Sequence, residues 1–365
     1  MKITGYTLQT VSLPREPGAT SSGNSFFVTL RLQTGDGIEG LGYAGFGSAL
    51  MGKALKEAVE MMAGVVVGSD PECVEAISQR LLALAGGGEP GGRTTGAPAG
   101  TATIAAAAID IALWDIKGKA AGQPVYKLLG GFRNKVPVYA SGWLWRTYDL
   151  KALADKAPQL VEQGFRAMKF RLGAEKTARA EIERVRVMRE AVGPDIDLMI
   201  DINQGWTVDQ AITIGRHLAE YDIFWLEDPT NHQDFSGLAR IAAALDTPIA
   251  AGEYHYGLPA FRQLVEQRSI DIVMPDLMRM GGITGWMKAA HLAEAFNLPV
   301  VPHLAPEVLL HAVAAIPNGL TVEYMPWSLP MFTELPHLED GCLVLSEKPG
   351  LGLEFDEAAL ARFAV

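Results

Sequence analysis

The sequence contains only two cysteines, Cys73 and Cys342, and neither belongs to a Cys-x-x-Cys pair. Small secreted scaffolds depend on several disulfides, and cysteine zinc sites need clustered thiolates. Both classes of protein are therefore excluded. Two isolated thiols favour a reducing compartment, so we expect a cytoplasmic protein.

The chain also lacks the segments that bind membranes or nucleic acids. It has no run of 18 uncharged apolar residues, and its start, MKITGYTLQTVSLP, lacks the continuous apolar stretch of a secretion signal. Its 31 basic and 42 acidic residues give a net charge of −11, and no basic run alternates with aromatic residues. We therefore expect neither a membrane-spanning segment nor a nucleic-acid partner.

The two ends of the chain are predicted to form one α+β capping domain. The 365 residues are 48% hydrophobic, which is enough for a large core and more than one domain. Within 1–130, ITGYTLQTV and FFVTLRLQT alternate like strands, whereas 51–84 and 101–119 have a helical pattern. Residues 327–365 contain turns and short strands, and we expect this segment to return to the capping domain.

Residues 131–326 alternate short apolar strands with amphipathic helices. The strand-like segments are VPVYAS, AMKFRL, DLMID, IFWLED, PIAAGE, IDIVMPD, PVVPH and TVEYMP. Such alternation predicts parallel strands covered by helices. About eight steps favour a closed (β/α)8-type TIM barrel over an open doubly wound sheet.

Three predicted barrel strands in succession finish with a carboxylate. Asp201, Glu227 and Glu253 follow one another at intervals of 26 residues. A single acid at a strand end often caps the next helix, but three in register would converge on the barrel end where chemistry occurs. Their repulsion would be relieved by a hard divalent cation, and oxygen-only ligands select Mg²⁺, with Mn²⁺ as the alternative.

The next three steps carry Asp276, His303 and Glu323. An acid on the neighbouring strand can bond one ring nitrogen of His303 and raise the basicity of the other, which is the arrangement of a general base. On the second step, Lys169 and Arg171 share one face of a strand. Two buried cations need anionic partners, which the metal carboxylates and a small carboxylate substrate would supply.

Four further residues are candidates for substrate binding. Asn203 shares a face with Asp201, although it could equally cap a turn. Trp145, Tyr254 and His255 follow strand ends and could line the pocket. Asp228 is expected to point away from Glu227, because neighbours in an extended strand face opposite sides.

Over nearly its whole length the sequence resembles the enolase superfamily, mandelate racemase subgroup. The resemblance is carried by AAAAIDIALWDIKGKAAGQPVYKLLGG, MKFRLG, DINQGW, WLEDPT, AGE, MPDLMRMGGITGW and PHLAPE. It implies an N-terminal capping domain whose specificity loops would fall near 15–25 and 45–51, and a homo-oligomer. The muconate-lactonizing branch carries a lysine on the sixth strand, where this chain has Asp276.

The resemblance also implies a role for each site residue. Three metal ligands fall on Asp201, Glu227 and Glu253, the His–Asp dyad falls on His303 and Asp276, and an electrophilic glutamate, expected to be protonated, falls on Glu323.

One position departs from the pattern of the subgroup and decides between reactions. The second strand of the family usually reads Lys-x-Lys, with the second lysine as a base, but this chain has Arg171 there. Arginine is a poor proton acceptor, which disfavours two-base racemisation. We therefore predict an acid-sugar dehydratase in which Arg171 binds a substrate hydroxyl or a distal carboxylate. The alternatives are a racemase, epimerase or lactone cycloisomerase, and a catalytically silent ligand-binding barrel.

Overall fold

The structure, a computed structural model, describes residues 1–15, 24–47, 49–87 and 99–365. Most of the predicted specificity loop at 15–25, and residue 48 of the loop at 45–51, lie outside the described residues. The first part of the chain forms an antiparallel sheet in the order β1-β2-β3 with three helices. These elements are β1 (Ile3–Pro14), β2 (Asn24–Thr34), β3 (Glu39–Gly47), α1 (Ala49–Val66), α2 (Val74–Ala85) and α3 (Thr101–Ala121).

Small residues allow α3 to lie directly on the capping sheet. A Cβ added to Gly40 would lie 2.2 Å from the Ala112 carbonyl oxygen, and one added to Gly42 would lie 2.0 Å from that of Ala108. Neither position tolerates a side chain, because the helix backbone occupies the space. The alanine-rich stretch thus packs by close approach, and α3 ends at Gly122, whose φ of 63° is left-handed.

The second part of the chain is the expected barrel. After the short helix α4 (Val125–Leu128), seven strands form its wall, and consecutive strands from β4 to β9 pair in parallel. The strands are β4 (Lys135–Ala140), β5 (Ala167–Arg171), β6 (Asp197–Asp201), β7 (Ile223–Glu227), β8 (Ile249–Ala251), β9 (Ile272–Val273) and β10 (Val322–Tyr324). The helices that cover them are α5 (Leu150–Glu162), α6 (Ala178–Val192), α7 (Val208–Leu218), α8 (Phe235–Ala244), α9 (Gly257–Glu266), α10 (Ile283–Ala295) and α11 (Pro306–Ala315).

The predicted seventh strand, PVVPH, is reduced to isolated bridges. Val300 bridges to Val273 and Gly319, and His303 bridges to Asp276, all in parallel. Pro299 and Pro302 have no backbone N–H to donate, so a continuous ladder cannot form there. β10 pairs in parallel with β4, which closes the ring and confirms the (β/α)8-type barrel.

The C-terminal tail contacts both parts of the chain. It contains β11 (His337–Glu339), β12 (Cys342–Val344) and α12 (Glu357–Arg362), and β12 pairs antiparallel with β4. The Val365 N–H donates to the Thr10 carbonyl of the capping sheet at 3.1 Å. Buried Asp115 on α3 accepts from the backbone N–H groups of Leu41 and Leu351, each at 2.9 Å. Among the described residues no helix is long and apolar enough to cross a bilayer.

Candidate active site

A cavity of about 400 Å³ opens at the carboxyl ends of the barrel strands, beneath the capping domain. Parallel strands deliver the residues that follow them to one edge, so side chains distant in sequence converge there. The barrel residues that line it include Lys169, Arg171, Asp201, Asn203, Glu253, Asp276, His303 and Glu323. The capping domain contributes Arg15, Gly45 and Ile104 to the lining.

Buried carboxylates crowd together on one side of this site. Asp201 and Glu227 are register partners on β6 and β7, and Glu253 follows β8. Ligand oxygens of Glu227, Asp228 and Glu253 all lie within 4.8 Å of one another. Burial raises the pKa of Glu227 to about 8. The positive charge of Lys169 opposes this shift, and the negative charges of Asp201 and Glu253 add to it.

These residues fit an oxygen-preferring divalent cation. The donors are all carboxylate oxygens, and oxygens on opposite sides of Mg²⁺ are about 4 Å apart, slightly less than the spread seen here. Crowded buried anions are unfavourable without a compensating charge. The donor set therefore suits Mg²⁺ or Mn²⁺ and not a thiolate-preferring metal.

Asp228 belongs to this carboxylate group, and our expectation that it points away was wrong. Its φ is 42°, so the chain has left the extended conformation in which neighbours alternate. Its buried Oδ2 has no hydrogen-bond partner among the described residues. Burial raises the pKa of Asp228 well above its usual range, and the charges of Glu253 and Glu227 add to the shift. Asp201 lines the cavity but lies outside this tight triple among the described residues.

Lys169 connects the carboxylates on two sides of the barrel interior. Its Nζ lies 2.5 Å from Glu227 Oε1 and 2.9 Å from Glu323 Oε1, and its side chain is 1% exposed. Burial would lower the pKa of Lys169, but these two carboxylates raise it well above its usual range. Lys169 is therefore a permanent cation at the cavity wall.

The contacts of Glu323 favour its ionised form, whereas the role expected from the sequence needs the protonated form. Its Oε1 accepts from the Ser141 hydroxyl at 2.6 Å, and its Oε2 accepts from the Leu304 N–H at 2.7 Å. Burial opposes ionisation, but Lys169, His303 and these donors lower the pKa of Glu323 to about 2. Glu323 must gain a proton before it can donate a hydrogen bond to a substrate.

His303 and Asp276 form a close pair. His303 Nδ1 lies 2.7 Å from Asp276 Oδ2, and His303 Nε2 lies 3.1 Å from Glu253 Oε2. Burial lowers the pKa of His303, but the carboxylates of Glu253 and Asp276 outweigh it and raise the value to about 9. Asp276 also accepts the Arg279 N–H at 2.8 Å, which fixes its orientation.

Arg171 lines the cavity, and its guanidinium donates three hydrogen bonds to other residues of the chain. Its Nη1 donates to the carbonyls of Ser141 at 2.8 Å and Trp143 at 3.3 Å, and its Nη2 donates to Ser141 Oγ at 3.2 Å. Its guanidinium carbon lies 4.1 Å from the ring centroid of Trp145. Arg171 is thereby held as a fixed cation, with little freedom to follow a distant substrate group.

The predicted substrate-binding residues divide into three that line the cavity and one that does not. Trp145, Asn203 and Tyr254 line it, and Asn203 also donates its backbone and side-chain N–H groups to Asp201. His255 is absent from the cavity wall, because its ring packs between Phe235 and Phe261. Its placement corrects the prediction of a pocket residue.

Several site residues gave little signal in the sequence. Ser141 and Arg279 act through contacts with other elements, Arg279 by donating to the Glu253 carbonyl. Trp225 donates its Nε1 to Glu227 Oε2 at 3.1 Å and lies edge-on to Tyr139 below the site. Of these residues, only Trp225 could have been placed near the site from the sequence, because it lies two residues before Glu227 and therefore shares its face of the strand.

Comparison with known proteins gives consistent matches. The description "Mandelate racemase / muconate lactonizing enzyme, N-terminal domain" matches residues 3–130, and "Enolase C-terminal domain-like" matches 152–359. The chain is 34% identical to the L-talarate/galactarate dehydratase of Salmonella typhimurium, over 91% of this chain and 81% of that protein. It is 36% identical to the 3,6-anhydro-alpha-L-galactonate cycloisomerase of Streptomyces coelicolor, over 93% and 91%.

A solved structure extends this likeness to the whole fold. The L-talarate dehydratase of Polaromonas sp. JS666, complexed with Mg and L-glucarate, superposes with a TM-score of 0.90. It is 31% identical, and the match covers 100% of this chain and 97% of the other.

Proposed function

Because the chain belongs to the mandelate racemase / muconate lactonizing enzyme family of the enolase superfamily, we propose that it removes the α-proton of an acid sugar and then eliminates water. The observation that carries this proposal is the His303–Asp276 pair beside a buried carboxylate cluster in one cavity. Relatives named as dehydratases support the choice of reaction.

The proposed metal ligands are Asp201, Glu227 and Glu253, with Asp228 close enough to replace one of them. When bound, Mg²⁺ would polarise the substrate carboxylate and stabilise the negative charge that develops on it. Lys169, fixed beside Glu227 and Glu323, would add a second positive charge at that carboxylate.

His303 is the proposed base. Asp276 holds Nδ1, so Nε2 faces the reacting proton. In this structure Nε2 faces Glu253, so His303 can accept the substrate proton only after losing the one that Glu253 stabilises. The α C–H bond then breaks, its proton moves to Nε2, and its electron pair enters the enediolate.

Arg171 determines the next step. It is held by Ser141 and Trp143, and arginine is a poor proton acceptor, so return of a proton from this side is disfavoured. The intermediate instead breaks the C–O bond at the β-carbon, and His303 returns its proton to the departing hydroxyl. The products are water and an enol, which tautomerises to a 2-keto-3-deoxy acid.

Lactone cycloisomerisation is the second candidate, supported by the cycloisomerase relative of Streptomyces coelicolor. Incubation with Mg²⁺ and a panel of aldonic and aldaric acids and their lactones in D₂O distinguishes dehydration from cycloisomerisation. Formation of a 2-keto-3-deoxy acid supports dehydration. A ring-opened or rearranged lactone without loss of water would support cycloisomerisation instead, and α-deuteration with inversion would indicate an epimerase.

The remaining expectations concern the setting of the reaction. Cys73 and Cys342 form no disulfide, which supports a cytoplasmic protein. We further propose a homo-oligomer with no nucleic-acid partner, in keeping with the net charge of −11.

A further inference from the structure

Arg15 is the only arginine that the described part of the capping domain contributes to the cavity wall. It follows β1, and its Nε donates to Ser25 Oγ at 2.8 Å. Its guanidinium carbon lies 4.5 Å from the ring centroid of Trp327. The hydrogen bond and the stacking fix the plane of the guanidinium.

The other cations of the cavity are already engaged with the protein. Lys169 pairs with two carboxylates, Arg171 donates to two carbonyls, and Arg279 donates to the Glu253 carbonyl. Arg15, by contrast, forms no ion pair with any described carboxylate, and its Nη1 and Nη2 have no described partner. A partly buried guanidinium without a counter-anion is unfavourable, and burial lowers the pKa of Arg15. The free fork is shaped to bind a carboxylate through two hydrogen bonds.

A pair of stacked indoles connects this arginine with Arg171. Trp327 stacks on Trp145 with ring centroids 6.1 Å apart and an interplanar angle of 10°. Trp145 in turn carries the guanidinium of Arg171 on its ring. Arg15, from the capping domain, and Arg171, from a barrel strand, therefore each contact one indole of the same stacked pair.

We propose that Arg15 binds the second carboxylate of an aldarate and so selects diacids over acid sugars that carry one carboxylate. This inference rests on the proposed function, and it assigns distal recognition to Arg15 instead of Arg171. The dimensions agree, because a sphere of 400 Å³ is about 9 Å across and a six-carbon chain spans about 6 Å. Lys169 and Arg15 both line this cavity.

The test compares substrates that differ only at the distal carbon. D-Glucarate with D-gluconate, and galactarate with D-galactonate, are assayed with Mg²⁺, and 6-phospho-D-gluconate serves as a third anion. The kcat/KM ratio of diacid to monoacid is measured for the unmodified protein, Arg15→Gln and Arg15→Lys. Arg240→Gln, on an exposed pair with Asp209, is the matched control.

We expect the unmodified protein and Arg240→Gln to prefer the diacid, and Arg15→Gln to lower that ratio about 10- to 100-fold, because charge-assisted hydrogen bonds are lost. Arg15→Lys should recover part of the preference, since it keeps the charge without the fork. An unchanged ratio in Arg15→Gln, or faster turnover of the phosphorylated acid than of any diacid, overturns the assignment.

Failure of the proposed function gives a different result. If no acid is turned over by the unmodified protein, dehydration is contradicted, and Arg15 is then tested by binding. Calorimetry in the His303→Asn background, with and without Arg15→Gln, measures the affinity for D-glucarate relative to D-gluconate. A preference for the diacid that disappears in the double variant supports the role of Arg15, and equal affinities in the His303→Asn protein overturn it.

Discussion

His303 Nδ1 lies 2.7 Å from Asp276 Oδ2, and the backbones of the same two residues form a parallel bridge. The residues are 27 positions apart in the chain. The barrel ladder itself therefore brings the carboxylate to the imidazole, and the neighbouring Arg279 N–H holds the other oxygen of Asp276. The pair is built into the fold and does not depend on a mobile loop.

Replacing Asp276 with Asn should slow removal of the α-proton about 10²- to 10⁴-fold, because a neutral amide no longer stabilises the imidazolium. The change keeps the shape of the side chain, so the circular dichroism spectrum should remain that of the unmodified protein. The measurement is the rate at which the α-proton signal of the substrate is lost, followed by NMR. Loss at the original rate in this variant would rule out the dyad.

The carboxylate cluster predicts a metal affinity that depends on particular residues. We expect Glu227→Gln and Glu253→Gln each to weaken Mg²⁺ binding by at least about 10-fold, because each removes a charged ligand from a buried site. Isothermal calorimetry, with a thermal melt as an independent readout, measures the loss. Undiminished affinity in both variants would contradict the proposed site.

The same titration shows whether Asp201 or Asp228 is the third metal ligand. Asp201→Asn should weaken Mg²⁺ binding more than Asp228→Asn, because the family resemblance places the ligand at Asp201. The reverse order would identify Glu227, Asp228 and Glu253, the tight triple of the structure, as the ligands.

Replacement of Arg171 with Lys should change the fate of the intermediate. A lysine supplies a proton acceptor and donor at this wall of the cavity and lacks the fork that holds Ser141 and Trp143. We expect an epimerised product to appear beside the dehydrated one in D₂O. Arg171→Met removes the same contacts without adding a base, so an equal amount of epimer from this control would contradict the explanation.

His311 predicts a loss of stability in mild acid that is independent of the active site. Its Nδ1 accepts the Tyr126 N–H at 3.2 Å, its Nε2 lies 3.0 Å from the Leu351 carbonyl oxygen, and burial lowers its pKa from 6.5 to about 4. The folded state thus favours neutral His311, whereas the unfolded chain takes up a proton below pH 6.5. The stabilisation is full above pH 6.5 and is lost as the pH falls toward 4.

Between pH 6.5 and 5.0 this group should remove about 2 kcal/mol from the free energy of unfolding. His311→Gln can keep both hydrogen bonds without titrating, so it isolates the effect from that of His255, whose pKa is also lowered to about 4. Urea denaturation at the two pH values gives the difference. Parallel losses in the two proteins would show that His311 does not titrate as described.

The positions of the site residues on the barrel could be predicted because they depend on periodicity. A parallel barrel places every residue that follows a strand at one rim, so Lys169, Asp201 and His303 converge on one cavity whatever their spacing in the chain. The shortened seventh strand could also have been anticipated, since Pro299 and Pro302 stand within PVVPH.

The departures from prediction have local causes. Asp228 turns into the site because its φ is positive, and His255 turns away because aromatic rings surround it. The ionised form of Glu323 is favoured by donors from other elements, Ser141 and Leu304. Periodicity does not encode such contacts, and neither does it encode the stacking of Arg15 on Trp327, two residues that are distant in the sequence.

The central claim is that His303 takes the α-proton of an acid sugar. Its most direct test is the rate at which the substrate loses its α-proton, with formation of 2-keto-3-deoxy acid followed by NMR, for the unmodified protein and His303→Asn in D₂O with Mg²⁺ and D-glucarate or galactarate. The account predicts loss of the α-proton and formation of keto acid with the unmodified protein, and neither with a variant that remains folded and still binds the metal. Loss of the α-proton at an undiminished rate in His303→Asn would contradict it.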